Sequence, residues 1–152
     1  MNGLIDSNEM YGCLKSSRNA ASIADNIYQN QNVFKRVLFV CSAGVLRSAT
    51  AAHTFSTDPY NWNTRSVGSS IEYALNLPTE QILYWADEIY FMEDMHFQSL
   101  IWLFSEQRLY KYKEKMFIMN VKDIYSYRES ILVDELRRIM DNKEYKKVWD
   151  DV

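Results

Sequence analysis

Of the two cysteines in the chain, Cys41 stands where it could do chemistry. It ends an apolar run, residues 36–40 (RVLFV), and is followed by Ser42, Ala43, Gly44, Val45 and Leu46, then by Arg47 and Ser48. A short loop that leaves a strand and enters a helix turns backbone N–H groups inward. With the helix N-terminus they form a nest for an anion. Gly44 accepts positive φ without steric cost, as such a loop requires. Arg47 supplies a planar, permanently charged fork that suits two phosphate oxygens. The same field favours a thiolate at Cys41, and Ser48 can donate a hydrogen bond to the sulfur. The segment therefore reads as a sulfur nucleophile facing an oxyanion cradle, activated without a histidine. The alternatives are a cysteine buried as a small apolar residue and a surface arginine. A cation on the first helical turn opposes the helix dipole, however, unless an anion lies between them.

These residues need a scaffold, and the pattern around them alternates strand with helix. Strands are expected at residues 36–40, 64–68, 89–92 and 115–121. Helices are expected from Arg47 to about Phe55, after Pro78-Thr79, over 95–108, and near 130–140, where Leu132, Leu136, Ile139 and Met140 share a face. Trp102 and Phe104 are assigned to the core. Asp58-Pro59-Tyr60 reads as a turn. The alternation predicts an α/β three-layer sandwich: a four-stranded parallel sheet with flavodoxin-like strand order 2-1-3-4 and helices on both faces. In such sheets ligands bind beyond the carboxyl ends of the strands, which is where Cys41 falls. Residues 1–32 are polar and weakly patterned, with a short helix expected at 20–28, and read as an N-terminal extension to a domain over 33–152.

Composition narrows the field. At 152 residues, 47% hydrophobic and 14% aromatic, the chain suits one folded domain. A net charge of −3 gives no basic field for nucleic acid. No apolar run reaches the ~20 residues of a membrane span, and the N-terminus lacks signal-peptide order, so a cytoplasmic protein is expected. Two cysteines make no disulfide framework, and no cysteine or histidine cluster has zinc spacing, so no metal or cofactor is expected. His53 and His96 are the two histidines, and both read as surface or boundary residues.

The stretch VLFVCSAGVLRSATAA resembles the signature of the low-molecular-weight protein tyrosine phosphatases, a Val-rich strand running into C-x5-R-[ST]. SVGSS at 66–70 is similar to the element after that family's second strand, and ILYWADEIYFMEDMH at 82–96 to its third-strand region. The compact layout suggests a bacterial or viral type. The resemblance implies phosphomonoester hydrolysis through a cysteinyl-phosphate, with Cys41 as nucleophile and Arg47 and the 42–46 amides on the phosphate. By position it makes Asp123, in NVKDIYSY, the general acid and Tyr125 part of an aromatic wall. The implied partner is a phosphotyrosine protein or a small aryl phosphate, and oligomeric state is not implied. The family usually has Asn where Gly44 stands, a cysteine at Leu46 and Pro at Ile124. Three other functions remain open: a phosphotyrosine-binding module without turnover, a thiol-dependent arsenate reductase, for which the one further thiol is Cys13, and a phosphoryl carrier with the phosphate held on cysteine.

Overall fold

The computed structural model describes residues 35–149. Cys13, the 20–28 helix and the 1–32 extension lie outside the described residues. The strand at the centre is β1 (Arg36–Cys41), in which every residue after Arg36 is buried. That continuous apolar run is what a parallel strand covered on both faces requires. It pairs in parallel with β2 (Asn63–Gly68) on one side and β3 (Glu88–Phe91) on the other, and β3 pairs in parallel with β4 (Met116–Ile118). The 2-1-3-4 order expected from the sequence is present. A fifth strand, β5 (Lys146–Lys147), adds antiparallel to β4 and completes the order β2-β1-β3-β4-β5.

β5 carries no sequence signal of its own, being two exposed lysines. Flanking aromatics hold it in place. The Tyr145 ring lies 5.1 Å from both Tyr90 and Phe117, and Trp149 lies 4.9 Å from Phe97. β4 is shorter than the seven residues expected, because Asn120 takes φ 61° and turns the chain. Met119 N–H and Val121 N–H still bond to Phe91 O and Met92 O, at 2.9 and 2.7 Å. The chain thus leaves β4 alongside the end of β3, and this directs the following loop over the Cys41 end of the sheet.

Helices α1 (Arg47–Phe55) and α5 (Ser130–Asp141) cover one face, and their core is shared with Val37, Phe39 and Tyr90. Phe39 stacks between Phe55 at 5.6 Å and Tyr90 at 5.7 Å. The α5 face forms as its spacing predicts, with Leu132, Leu136, Ile139 and Met140 buried. The other face is covered by α2 (Glu80–Trp85), α3 (Asp94–Phe104) and α4 (Glu106–Tyr110), against Leu38, Val40, Ile89 and Phe91. Thr79 caps α2 by accepting from Ile82 N–H at 3.2 Å.

The single helix expected at 95–108 is in fact two. Ser105 adopts φ 86°, which ends α3, and its hydroxyl accepts from Arg108 N–H at 3.3 Å to start α4. Leu109 continues the apolar spacing across the break, so periodicity alone cannot locate it. Trp102 corrects a second expectation. It is 88% exposed, on the outward side of α3, while Phe104 packs against the core. No helix among the described residues is long and apolar enough to cross a membrane.

Candidate active site

Cys41 closes β1 and Arg47 opens α1, so the five residues between them span strand end to helix start. What orients this loop is the disposal of its carbonyls. Cys41 O accepts from Ser69 N–H at 2.8 Å, Ser42 O from Ser70 N–H at 3.1 Å and Ala43 O from Leu75 N–H at 3.3 Å. Gly44 O accepts from the Ser66 hydroxyl at 3.0 Å. Three successive carbonyls are thus drawn to the segment after β2 and the fourth to Ser66 within β2, and the loop is held by its acceptors. Gly44 N–H is turned to the Cys41 sulfur, and N–H groups turned inward by such a loop suit an anion. No side chain caps the N-terminus of α1, so the orphan amides of its first turn add to that field.

The sulfur sits within this cradle. Cys41 is 3% exposed; its Sγ lies 3.3 Å from Gly44 N–H, which donates to it, and 3.1 Å from the Ser48 hydroxyl. The Gly44 N–H donates to the sulfur, and in the Ser48 contact the hydroxyl can donate to it as well. Gly44 makes its contact at φ +81°, and a Cβ there would lie 2.7 Å from Gly68 N and 2.8 Å from the Val67 carbonyl carbon. Gly68 is equally tight, since a Cβ on it would meet Ser42 O at 2.5 Å. The glycine at 44, where the resembling family has Asn, therefore answers to two constraints: backbone conformation and close approach to β2. Gly44→Ala is expected to cost about 1–3 kcal/mol in thermal or denaturant unfolding and to weaken phosphate binding in parallel.

Arg47 is buried, 3% exposed, and the segments that follow β3 and β4 converge on it. Its Nη1 donates to Glu93 Oε1 at 3.0 Å, after β3, and to Val121 O at 2.9 Å, after β4. Its Nε lies 3.8 Å from Asp123 Oδ1. Its Nη2 lies 3.3 Å from His96 Nε2. The structure thus brings together Cys41, Ser48, Arg47 and Asp123, residues drawn from opposite ends of the domain. Asp123 remains 65% exposed, open to a substrate. Tyr125, two residues on, is half-buried against the core beneath the loop, and Leu46 packs on the same core. Val45 is exposed. Asp58 lies in a turn after α1, accepting from Asn61 Nδ2 at 2.6 Å, just before the β2 end that pairs with Arg36. It is therefore at the end of the sheet opposite to Cys41.

His96 overturns an expectation. It is no boundary residue: it is 1% exposed, and its Nε2 also lies 3.2 Å from the Ser42 hydroxyl. Its Nδ1 accepts from Glu93 N–H at 2.9 Å, while the Glu93 carboxylate accepts from the His96 amide, a reciprocal cap on α3. Burial, with the Arg47 charge beside it, holds the ring down to about 4. Glu93 likewise escaped the sequence reading. The signal that could have found both is the acceptor–helix-start order of EDMH directly after a buried strand. His53 is half-buried on α1 and its Nε2 lies 2.8 Å from Arg128 Nη2.

No protein-family model and no curated protein matches the sequence. Solved structures do match the fold. A low-molecular-weight protein tyrosine phosphatase from T. tengcongensis superposes with a TM-score of 0.55 at 21% identity, covering 72% of this chain and 97% of its own. Vibrio vulnificus Wzb in complex with benzylphosphonate gives 0.53 at 21% identity, covering 72% and 99%. A cysteine-to-serine mutant of the YwlE arginine phosphatase, with a phosphorylated active-site serine, gives 0.51 at 20% identity, covering 72% and 95%. The fold of this chain is that of the low-molecular-weight protein tyrosine phosphatases.

Proposed function

We propose that this chain, built on the low-molecular-weight phosphatase fold, hydrolyses phosphomonoesters through a cysteinyl-phosphate, with phosphotyrosine protein or a small aryl phosphate as substrate. The observation that carries this reading is the loop itself. Four carbonyls are turned away, a sulfur with two donors lies at the centre, and a buried arginine is held at the edge. Cys41 Sγ attacks phosphorus in line with the ester oxygen. The amides of residues 42–46 and Arg47 bind the three non-bridging oxygens, whose charge is redistributed in the transition state. Asp123 gives its proton to the departing phenolate. The resulting carboxylate then takes a proton from water, which attacks the phosphocysteine and releases inorganic phosphate and the Cys41 thiolate. Ser48, bonded to the sulfur, stabilises it as it leaves.

Val45 and Ile124, both exposed, and half-buried Tyr125 lie in the loops after β1 and β4 and would give this site an apolar and aromatic rim. Such a rim suits a phenyl ring better than the strongly hydrated side chain of a phosphoarginine, the substrate that the name of one similar protein implies. Purified protein is expected to release phosphate from aryl phosphates and phosphotyrosine peptides in the presence of a chelator. Phosphopeptide binding without turnover would instead identify a binding module, and thiol oxidation that depends on arsenate would identify a reductase.

Asp123→Asn tests the acid directly. With phenyl phosphate, a poor leaving group, kcat is expected to fall about a hundredfold and to lose the alkaline limb of its pH profile. With para-nitrophenyl phosphate, whose phenolate leaves without full protonation, the loss should be several-fold smaller. Asp58→Asn is expected to leave both rates unchanged. The reverse pattern would assign the acid to Asp58.

A further inference from the structure

The corner of the site formed by His96 has a consequence for how phosphate is held, given the phosphatase reading above. The Glu93 amide can only donate, so His96 Nδ1, 2.9 Å away, must be the bare nitrogen. In a neutral ring the hydrogen is then on Nε2. Burial and the Arg47 charge keep the ring neutral at ordinary pH. Nε2–H has an acceptor in the Ser42 hydroxyl at 3.2 Å. It has none in Arg47 Nη2 at 3.3 Å, because a guanidinium nitrogen is itself a donor.

Two results follow. Ser42 Oγ, having accepted from the ring, is left with its own hydrogen to give away. Arg47 has Nη1 committed to Glu93 and Val121 O and Nε turned to Asp123, so Nη2 is the corner for which the described residues provide no acceptor. A buried charged donor and a hydroxyl donor thus lie against the same ring nitrogen, beside the loop that carries the sulfur.

We propose that His96 is a positioning residue, whose Nε2–H orients the Ser42 hydroxyl to donate, together with Arg47 Nη2, to a phosphoryl oxygen of the bound substrate. The Ser42 side chain then adds a directed hydrogen bond to those of the loop amides. His96 touches no reacting atom; it sets the direction in which Ser42 gives its hydrogen and leaves Nη2 unclaimed.

The test uses the full chain and inorganic phosphate as probe, by calorimetry, with kcat, KM and thermal unfolding measured on the same preparations. His96→Asn keeps an oxygen able to accept from Glu93 N–H, so the α3 cap survives, but it cannot reach Ser42. It is expected to weaken phosphate binding about tenfold, the scale of one hydrogen bond to a charged group, with little change in Tm. Ser42→Ala should show the same loss, and the double variant no more than either single one. His96→Gln, whose amide can reach the hydroxyl, should recover most of the affinity. Undiminished phosphate binding by His96→Asn, or additive losses in the double variant, would overturn the inference. A wild-type protein that binds phosphate but turns over no aryl phosphate would refute the phosphatase reading while the binding series still decides the role of His96. One that does not bind phosphate refutes both.

Discussion

Cys41→Ser is expected to abolish turnover of aryl phosphates, lowering kcat by roughly 10⁴-fold or more, the scale on which nucleophile deletions are read. The size of the loss follows from what surrounds the sulfur. Gly44 N–H at 3.3 Å and the Ser48 hydroxyl at 3.1 Å stabilise a charged sulfur well. A serine hydroxyl at the same place stays protonated in that field, and no general base within the described site is placed to take its proton. The fold should be indifferent to the change, because Cys41 is buried as a small side chain and makes no disulfide. The expected signature is therefore an inactive variant with wild-type Tm that still binds inorganic phosphate. Binding should persist because the loop carbonyls stay engaged by Ser69, Ser70, Leu75 and Ser66. Rapid mixing of wild-type protein with substrate should show a burst of phenolate from the cysteinyl-phosphate, absent in the variant. Activity within tenfold of wild type in Cys41→Ser would remove the cysteinyl-phosphate from the mechanism.

Why Cys41, Arg47 and Ser48 are legible in the sequence, and their supports are not, comes down to chain distance. The three residues span eight positions, and a strand running into a helix places them together whatever the rest of the domain does. Asp123 is placed by the order of the elements, since the loop after β4 must lie at the same end of a parallel sheet as the loop after β1. The supports have no such local cause. His96 meets Ser42 across 54 positions, and only the packing of α3 beside β3 makes it a buried group. Val121 acts through its carbonyl, which has no side-chain signature at all. Gly44 and Gly68 each look like an ordinary turn residue. Only the structure shows that the 42–44 loop and the end of β2 approach so closely at both positions that neither admits a Cβ. β5 misses for a different reason: a two-lysine strand has no pattern of its own and is held by the aromatics that flank it, Tyr145 and Trp149.

Arg47→Lys separates a requirement for charge from a requirement for geometry. Lysine keeps the positive charge near the cradle but presents a single flexible ammonium instead of a fork. Arg47 Nη1 alone serves Glu93 Oε1 and Val121 O, while Nη2 and Nε point to other corners of the site. One ammonium can satisfy the first pair or bind a phosphoryl oxygen, and cannot do both. The expected loss in kcat/KM is about 10²–10³-fold, equivalent to about 3–4 kcal/mol of transition-state stabilisation. Most of it should appear in kcat, because the fork is matched to charge that redistributes over the oxygens as phosphorus is attacked. Stability should fall by less, about 1–2 kcal/mol, since the Glu93 carboxylate is 30% exposed and can be rehydrated, leaving Val121 O as the group that loses its partner. Arg47→Met, which lacks any donor, should bind inorganic phosphate more weakly than Arg47→Lys while unfolding at a similar temperature. A lysine variant with wild-type kcat/KM would mean that the guanidinium holds the loops together and takes no part in binding the transferring group.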